Sequence, residues 1–146
     1  MPGEVVKRFR ENILTLENFT KELESATDGK EFTSHHFAPG IYLREFFLPK
    51  GMYFTSKIHK TTHLLIVASG KTAITSELGQ TIIEGPTVLT TKPGTKRAVY
   101  GMEDTTFYTV HVTEETDLEV IEDNIIAKDF NEIDLLEQTK KIGEIE

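Results

Sequence analysis

The stretch GMYFTSKIHKTTHLLIVASG, residues 51–70, holds two short runs rich in β-branched and aromatic residues between two glycines. Runs of this length and composition, bounded by turn residues, are typical of β-strands. Two histidines, His59 and His63, stand four residues apart where the runs meet. The stretch therefore predicts two consecutive strands with a pair of histidines between them.

Further runs of the same kind extend from Phe32 to about Ala127, with turn signals about every 8–12 residues. In chain order, and including the first stretch, the runs are IYLREFFL, YFTSKIH, HLLIVAS, TAITS, TIIE, TVLTT, RAVY, TFYTVHVT and LEVIEDNIIA. No segment between them has the length of the crossover helix that joins parallel strands. The sequence thus predicts a mainly β fold, an antiparallel sandwich or barrel.

Helical patterns flank the β region. From Glu4 to Ala26, apolar residues recur at three- and four-residue steps, as in an amphipathic helix that covers a sheet face; they are Val5, Phe9, Ile13, Leu16, Phe19 and Leu23. The C-terminal stretch reads as a second helix, with Asp129 or Asn131 as candidate cap and Phe130, Ile133, Leu136 and Ile142 as its apolar side. We expect a helical segment over residues 1–30, a β domain over 31–127 and a helical segment over 128–146.

Composition excludes several classes of function. The 146 residues carry a formal net charge of −8, which disfavours nucleic acid and anionic membranes as partners. The chain has no cysteine, so it has no disulfide, no thiolate metal site and no cysteine nucleophile. Neither a signal-peptide core nor an apolar run of about 18 residues is present, and we expect a cytoplasmic protein.

The run HLLIVA predicts an assembly surface. Because side chains in a strand alternate between its two faces, His63 and Leu65 point to one side while Leu64 and Ile66 point to the other. Both faces therefore carry apolar residues. We expect the outer face to lie under a helix or under a second copy of the chain, which makes a homo-oligomer.

The spacing of residues 51–70 resembles the first motif of the cupin superfamily, whose members are small β-barrels. That motif runs Gly, five residues, His-x-His, three or four residues, Glu, six residues, Gly. In this chain Gly51 is followed by five residues, Lys57-Ile58-His59, three residues, His63, six residues and Gly70. The segment GPTVLTTKPGTKR, from Gly85 to Arg97, is similar to the second motif, with arginine where a histidine would stand. The resemblance spans roughly residues 37–115 and implies a cupin-type barrel.

The family's four metal-ligand positions become Lys57, His59, His63 and Arg97 in this chain. A lysine ammonium has no free lone pair at neutral pH and a guanidinium is not a ligand, so the resemblance implies a pocket without the usual metal and without a cofactor. A replacement set of His59, His63 and His111 stays open. It requires His111 to face inward, whereas the more apolar face of TFYTVHVT is Tyr108, Val110 and Val112.

A barrel interior lined by Lys57, Arg97, His59 and His63 favours a small anionic ligand, because buried cations need a negative partner. Tyr53 shares the predicted strand face of Lys57 and is a further candidate contact, as is His111. An internal ion pair with Glu45 is the alternative that needs no ligand.

Two other functions stay open. Metal-free sugar-nucleotide isomerases and epimerases of the superfamily resemble this layout, which would make His59 the general base and His63 or Tyr108 the acid. The barrel would otherwise build a structural oligomer of the kind found in phage components, without catalysis.

Overall fold

The computed structural model describes residues 3–22, 29–76 and 79–134. Among them, the chain forms a helix α1 (Glu4–Glu22), a 3-10 turn (Lys30–Phe32), nine strands and a second helix α2 (Leu118–Ile125). The strands are β1 (Thr33–Ala38), β2 (Ile41–Leu48), β3 (Tyr53–Thr55), β4 (His63–Ser69), β5 (Lys71–Ser76), β6 (Gly79–Glu84), β7 (Thr87–Thr91), β8 (Ala98–Gly101) and β9 (Thr105–Val112). Residues 130–134 are also helical.

The strands form two antiparallel sheets, which confirms the predicted fold class. One sheet has the order β1-β2-β9-β4-β7 and the other the order β3-β8-β5-β6. Their inner faces enclose an apolar core of buried residues from both sheets: Leu48, Leu65, Val67, Ile74, Val99 and Phe107. Burial of apolar area is the main stabilising term for such a core.

Strand β4 alternates as its sequence predicts. His63, Leu65 and Val67 are buried on the inner face, whereas Leu64 on the outer face is 41% exposed. The tight turn after β4 depends on Gly70, which has φ of +94°, and a Cβ there would lie 2.7 Å from the Thr105 Cα. Only glycine adopts that conformation readily in so close a space.

Helix α1 packs against the loop after β3 and the C-terminal segment, at one side of the four-stranded sheet. Its Ile13 is buried in a cluster with Ile58, Ala127, Phe130 and Ile133. Buried Lys96 ties the helix to the barrel, because its Nζ donates to Glu17 Oε2 at 2.6 Å and to the Ser56 carbonyl at 2.8 Å. Residues 23–26 of the predicted helix lie outside the described residues, and so do the side chains of Phe19 and Leu23.

The prediction of a strand over LEVIEDNIIA was wrong. Leu118–Ile125 is helical, and the Asp117 side chain caps it by accepting a hydrogen bond from the Glu119 amide at 3.0 Å. Ile121 and Ile125, four residues apart, are buried against Tyr42. The cap and this helical spacing outweigh the strand propensity of the β-branched residues.

The helix predicted at the C-terminal end begins where expected. Asp129 Oδ1 accepts a hydrogen bond from the Glu132 amide at 3.0 Å, so Asp129 is the cap rather than Asn131. Leu136, Ile142 and the acidic end of the chain lie outside the described residues. Of the helices that the structure describes, none is both long and apolar enough to cross a bilayer.

Candidate functional site

Neighbouring strands of the five-stranded sheet bring two histidines side by side. Leu64 of β4 pairs with Val110 of β9, and this antiparallel register places His63 next to His111. The same row continues to Tyr42 on β2, which pairs with His111, and to Thr91 on β7, which pairs with His63. All four side chains are buried. The inner face of this sheet thus carries a continuous polar row near one end of the barrel.

The third histidine reaches the site from a loop. Strand β3 ends at Thr55, so the strand alternation predicted from Tyr53 to His59 stops there. His59 instead forms an isolated bridge with Ile126, and its carbonyl accepts a hydrogen bond from the Gly94 amide at 2.8 Å. The segment after α2 therefore fixes His59, which is buried, against the barrel.

The three imidazoles form one compact cluster. Ring centroids lie 4.2 Å apart for His59 and His63, 4.6 Å for His63 and His111, and 5.8 Å for His59 and His111. One nitrogen of each ring lies within 4.8 Å of the others. The sequence left the orientation of His111 open; in the structure Phe107 and His111 are buried while Val112 is 92% exposed, so His111 faces inward.

Hydrogen bonds fix the orientation of two of these rings. His63 Nδ1 lies 3.3 Å from the Thr61 carbonyl oxygen, which only accepts, so Nδ1 donates and Nε2 keeps its lone pair. His111 Nε2 lies 3.0 Å from the Thr109 hydroxyl, and buried His111 Nδ1 has no hydrogen-bond partner among the described residues. A buried polar atom left without a partner is unfavourable.

Burial keeps the cluster neutral. Burial, with smaller effects from the neighbouring His63, His111, Arg44 and Arg97, lowers the pKa of His59 from 6.5 to about 2. Burial, with smaller effects from His63 and Arg44, lowers the pKa of His111 to about 4. The pKa of His63 is also lowered, chiefly by burial. At neutral pH each ring therefore carries an unprotonated nitrogen.

A cavity of about 90 Å³ opens beside the cluster. Its wall is largely apolar and aromatic, and its polar groups come from the five-stranded sheet and from the loops before β4 and β8. The apolar lining residues are Phe46, Phe54, Leu65, Val99 and Phe107, and the others are Arg44, Ser56, Lys57, His59, His63, Arg97 and Thr109. The cavity thus joins a hydrophobic wall to a basic, histidine-containing end.

Arg97 is one of the residues that line this cavity. Its Nη1 donates to the Thr91 hydroxyl at 2.8 Å, and its backbone amide donates to Ser56 Oγ at 2.9 Å. Burial lowers the pKa of Arg97, and no carboxylate in the described part of the chain pairs with it. The guanidinium charge is therefore balanced by no acidic side chain of residues 3–22, 29–76 and 79–134.

Arg44 is a cavity residue that the sequence reasoning missed. On β2, Tyr42 and Leu48 are buried, so the inward set is Tyr42, Arg44, Phe46 and Leu48. Glu45 belongs to the opposite face, where its Oε1 lies 3.3 Å from His36 Nε2. The alternative of an internal ion pair with Glu45 is therefore excluded. Arg44 has no ion pair among the described residues.

The remaining candidates lie at or beyond the rim. Lys57 touches the cavity, but its side chain is 48% exposed and its ammonium pairs with Glu122 at 2.7 Å. Tyr53 is 60% exposed and packs against Tyr100 at 4.8 Å between ring centroids, in a cleft beside α1. Tyr108 pairs with Glu45 on the outward-facing register of β9. The structure thus groups His59, His63, His111 and Arg97, and separates Tyr53 and Tyr108 from them.

Comparison with known proteins shows the fold. No protein-family model matches the sequence, and no curated protein matches it. Salicylate 1,2-dioxygenase from Pseudaminobacter salicylatoxidans is similar at 12% identity and a TM-score of 0.55, over 90% of this chain and 38% of that chain. Ectoine synthase from P. lautus is similar at 14% identity and a TM-score of 0.51, over 62% of this chain and 70% of that chain. The chain has the fold of the cupin superfamily, as its motifs imply.

A third solved structure is also similar to this chain. It is an RmlC-like cupin family protein with a double-stranded β-helix fold from Methanocaldococcus jannaschii, at 12% identity and a TM-score of 0.47, over 60% of this chain and 86% of that chain. At such identities these similarities concern the fold alone.

Proposed function

We propose that the protein holds a small carboxylate in the basic end of its barrel pocket. The observation that carries the proposal is that Arg97 and Arg44 line the cavity with no acidic partner among the described residues. Desolvated charges without a partner are unfavourable, and a carboxylate matches the planar fork of a guanidinium through two parallel hydrogen bonds.

The shape and lining of the cavity favour a small ligand with an apolar body. Three phenylalanines, Phe46, Phe54 and Phe107, contribute to the wall, together with Leu65 and Val99. The volume of about 90 Å³ lies well below the 300–1,000 Å³ typical of pockets for drug-sized ligands. A short aliphatic or aromatic carboxylate fits this description better than a sugar nucleotide, whose hydroxyl groups would face an apolar wall.

An isomerase with His59 as general base is less well supported. A pKa of about 2 makes His59 a weak base. No carboxylate of the described residues forms a hydrogen bond with any of the three histidines. We therefore place ligand binding, rather than proton transfer, first.

Thermal unfolding with a panel of anions tests the proposal. The panel contains acetate, butyrate, benzoate, inorganic phosphate and a uridine diphosphate sugar. We expect benzoate or butyrate to raise the melting temperature most, since a ligand that binds only the folded state stabilises it by about 2.7 kcal/mol at a hundred times its Kd.

Two variants locate the binding. Arg97→Gln is expected to remove the stabilisation, whereas Lys57→Gln keeps most of it because the Lys57 ammonium already pairs with Glu122. Equal stabilisation of the wild type and Arg97→Gln, or no stabilisation by any carboxylate, would contradict the proposal. A larger effect of the uridine diphosphate sugar would favour the isomerase alternative.

A further inference from the structure

We propose that His59, His63 and His111 together bind one divalent transition-metal ion. This inference is separate from carboxylate binding, since it concerns the histidine cluster and not the guanidinium groups. His111 lies on β9, outside both sequence motifs that resemble the cupin superfamily, and Arg97 occupies the motif position where a ligating histidine would stand. The site is therefore displaced toward β9 from the position that the motifs define.

The cluster offers three donors of one chemical kind. Three imidazole nitrogens within 4.8 Å of one another come from two adjacent strands and one loop. Ligand nitrogens on a tetrahedral ion with bonds of about 2.0–2.1 Å lie about 3.3 Å apart, so the rings would have to close on the ion by modest side-chain rotation. Three neutral imidazoles suit zinc, iron, cobalt, nickel or copper, and leave a position open for water or another ligand.

The hydrogen bonds specify which nitrogen of two rings binds the ion. His63 Nδ1 donates to the Thr61 carbonyl, which leaves Nε2 as the ligand. When His111 Nε2 donates to the Thr109 hydroxyl, the ligand is Nδ1, the buried atom that has no hydrogen-bond partner. Ligating histidines commonly donate their other ring N–H in this way, which fixes the ring and its tautomer. The unpartnered His111 Nδ1 is the observation that points most directly to an ion.

The charge around the histidine cluster determines which further ligand a bound ion would accept. Among the described residues, the group contains no carboxylate, so a bound ion keeps its full double positive charge. Arg44 and Arg97 add positive charge nearby. The open coordination position should therefore accept an anion or a hydroxide rather than a neutral ligand.

Cobalt(II) titration of metal-free protein without a histidine tag tests the inference. We expect one equivalent to bind, with the visible absorption of a cobalt ion bound by nitrogen ligands in a site of low coordination number, and to raise the melting temperature. His63→Gln and His111→Gln are each expected to lower the affinity at least about 100-fold. His36→Gln is the matched control, because this exposed histidine pairs with Glu45 away from the cluster.

A second variant keeps the test informative if a ligand variant does not fold. Thr109→Val removes the hydroxyl beside His111 Nε2 without altering a ligand, and should weaken cobalt binding about 10-fold. Absence of stoichiometric binding to the wild type would overturn the inference. So would binding that His111→Gln and Thr109→Val leave unchanged, or binding that His36→Gln removes.

Discussion

His63 and His111 lie beside each other on adjacent antiparallel strands, with their ring centroids 4.6 Å apart and both side chains buried. Two imidazoles so placed cannot both be protonated without strong repulsion and desolvation. The pair therefore links the stability of the barrel to the protonation of its interior.

The metal-free protein should lose stability on acidification at pH values well above those at which most carboxylates titrate. A histidine whose folded-state pKa is lowered binds its proton mainly in the unfolded chain, so its contribution is complete above pH 6.5 and is lost as the pH falls toward the folded value, which is about 4 for His111. Each such histidine lowers the free energy of unfolding by up to about 1.4 kcal/mol for each pH unit of acidification in this range.

Urea unfolding at pH 7, 6 and 5, in the presence of a chelator, measures this dependence. The difference between the wild type and His111→Gln isolates the contribution of His111, because carboxylates contribute equally to both proteins. A pH dependence as steep in the variant as in the wild type would show that His111 is not protected from protonation.

Arg97→Gln should strengthen the binding of cobalt and weaken the binding of benzoate. The substitution removes a positive charge whose effect reaches His59 and His63, so cobalt affinity should rise, by up to about tenfold. Stabilisation by benzoate should be lost in the same variant. Parallel cobalt titration and melting experiments measure both effects, with Lys57→Gln as control. A fall in cobalt affinity would mean that the guanidinium supports the histidine cluster instead of repelling the ion.

Removal of the Glu17 carboxylate should destabilise the fold through Lys96. Lys96 is buried, and its ammonium has the Glu17 carboxylate 2.6 Å away. Glu17→Gln leaves that charge without its anionic partner and should cost about 3 kcal/mol in the free energy of unfolding.

Lys96→Met is the matched substitution, since it removes the buried charge itself. The double variant Glu17→Gln and Lys96→Met should be more stable than Glu17→Gln alone. Additive effects of the two substitutions in denaturant unfolding would refute the idea that the charges are coupled.

The homo-oligomer expected from the sequence stays a prediction. We propose that its interface is the outer face of the five-stranded sheet. Exposed apolar side chains on this face come from four strands, at Ile41, Phe47, Leu64, Val88 and Val112. A second copy is the proposed occupant, because a largely apolar face, on which Glu45 lies against His36, is where chains of net charge −8 can approach each other with least repulsion.

Leu64→Glu should therefore shift the molecular mass measured by light scattering toward that of one chain. Ile82→Glu is the control, because Ile82 is 58% exposed on the other sheet. A wild-type protein that is monomeric at high concentration would end this hypothesis.

Sequence patterns predicted correctly those features that depend only on neighbouring residues, namely strand alternation, a helix cap and a glycine turn. The alternation along β4 correctly placed His63 and Leu65 on one face and Leu64 on the other. The caps and spacing at Asp129 likewise identified a helix start. Glycine spacing predicted the turn at Gly70, where φ is positive.

Other features depended on contacts between distant segments. On β9 both faces were plausible by alternation, and only the register with β2 and β4 places His111 beside Tyr42 and His63. On β2 the more apolar set faces outward, so Arg44 was overlooked. For α2, strand-forming residues obscured a helix whose start is marked by its Asp117 cap.

The bridge between His59 and Ile126 has a consequence for biosynthesis. His59 is translated early, but the segment that fixes it follows almost at the end of the described chain. A nascent chain that has emerged only as far as β9 has both strands that carry His63 and His111, yet lacks the residues that hold His59 in place. The complete three-histidine cluster is therefore held in place only once the segment after α2 has been synthesised.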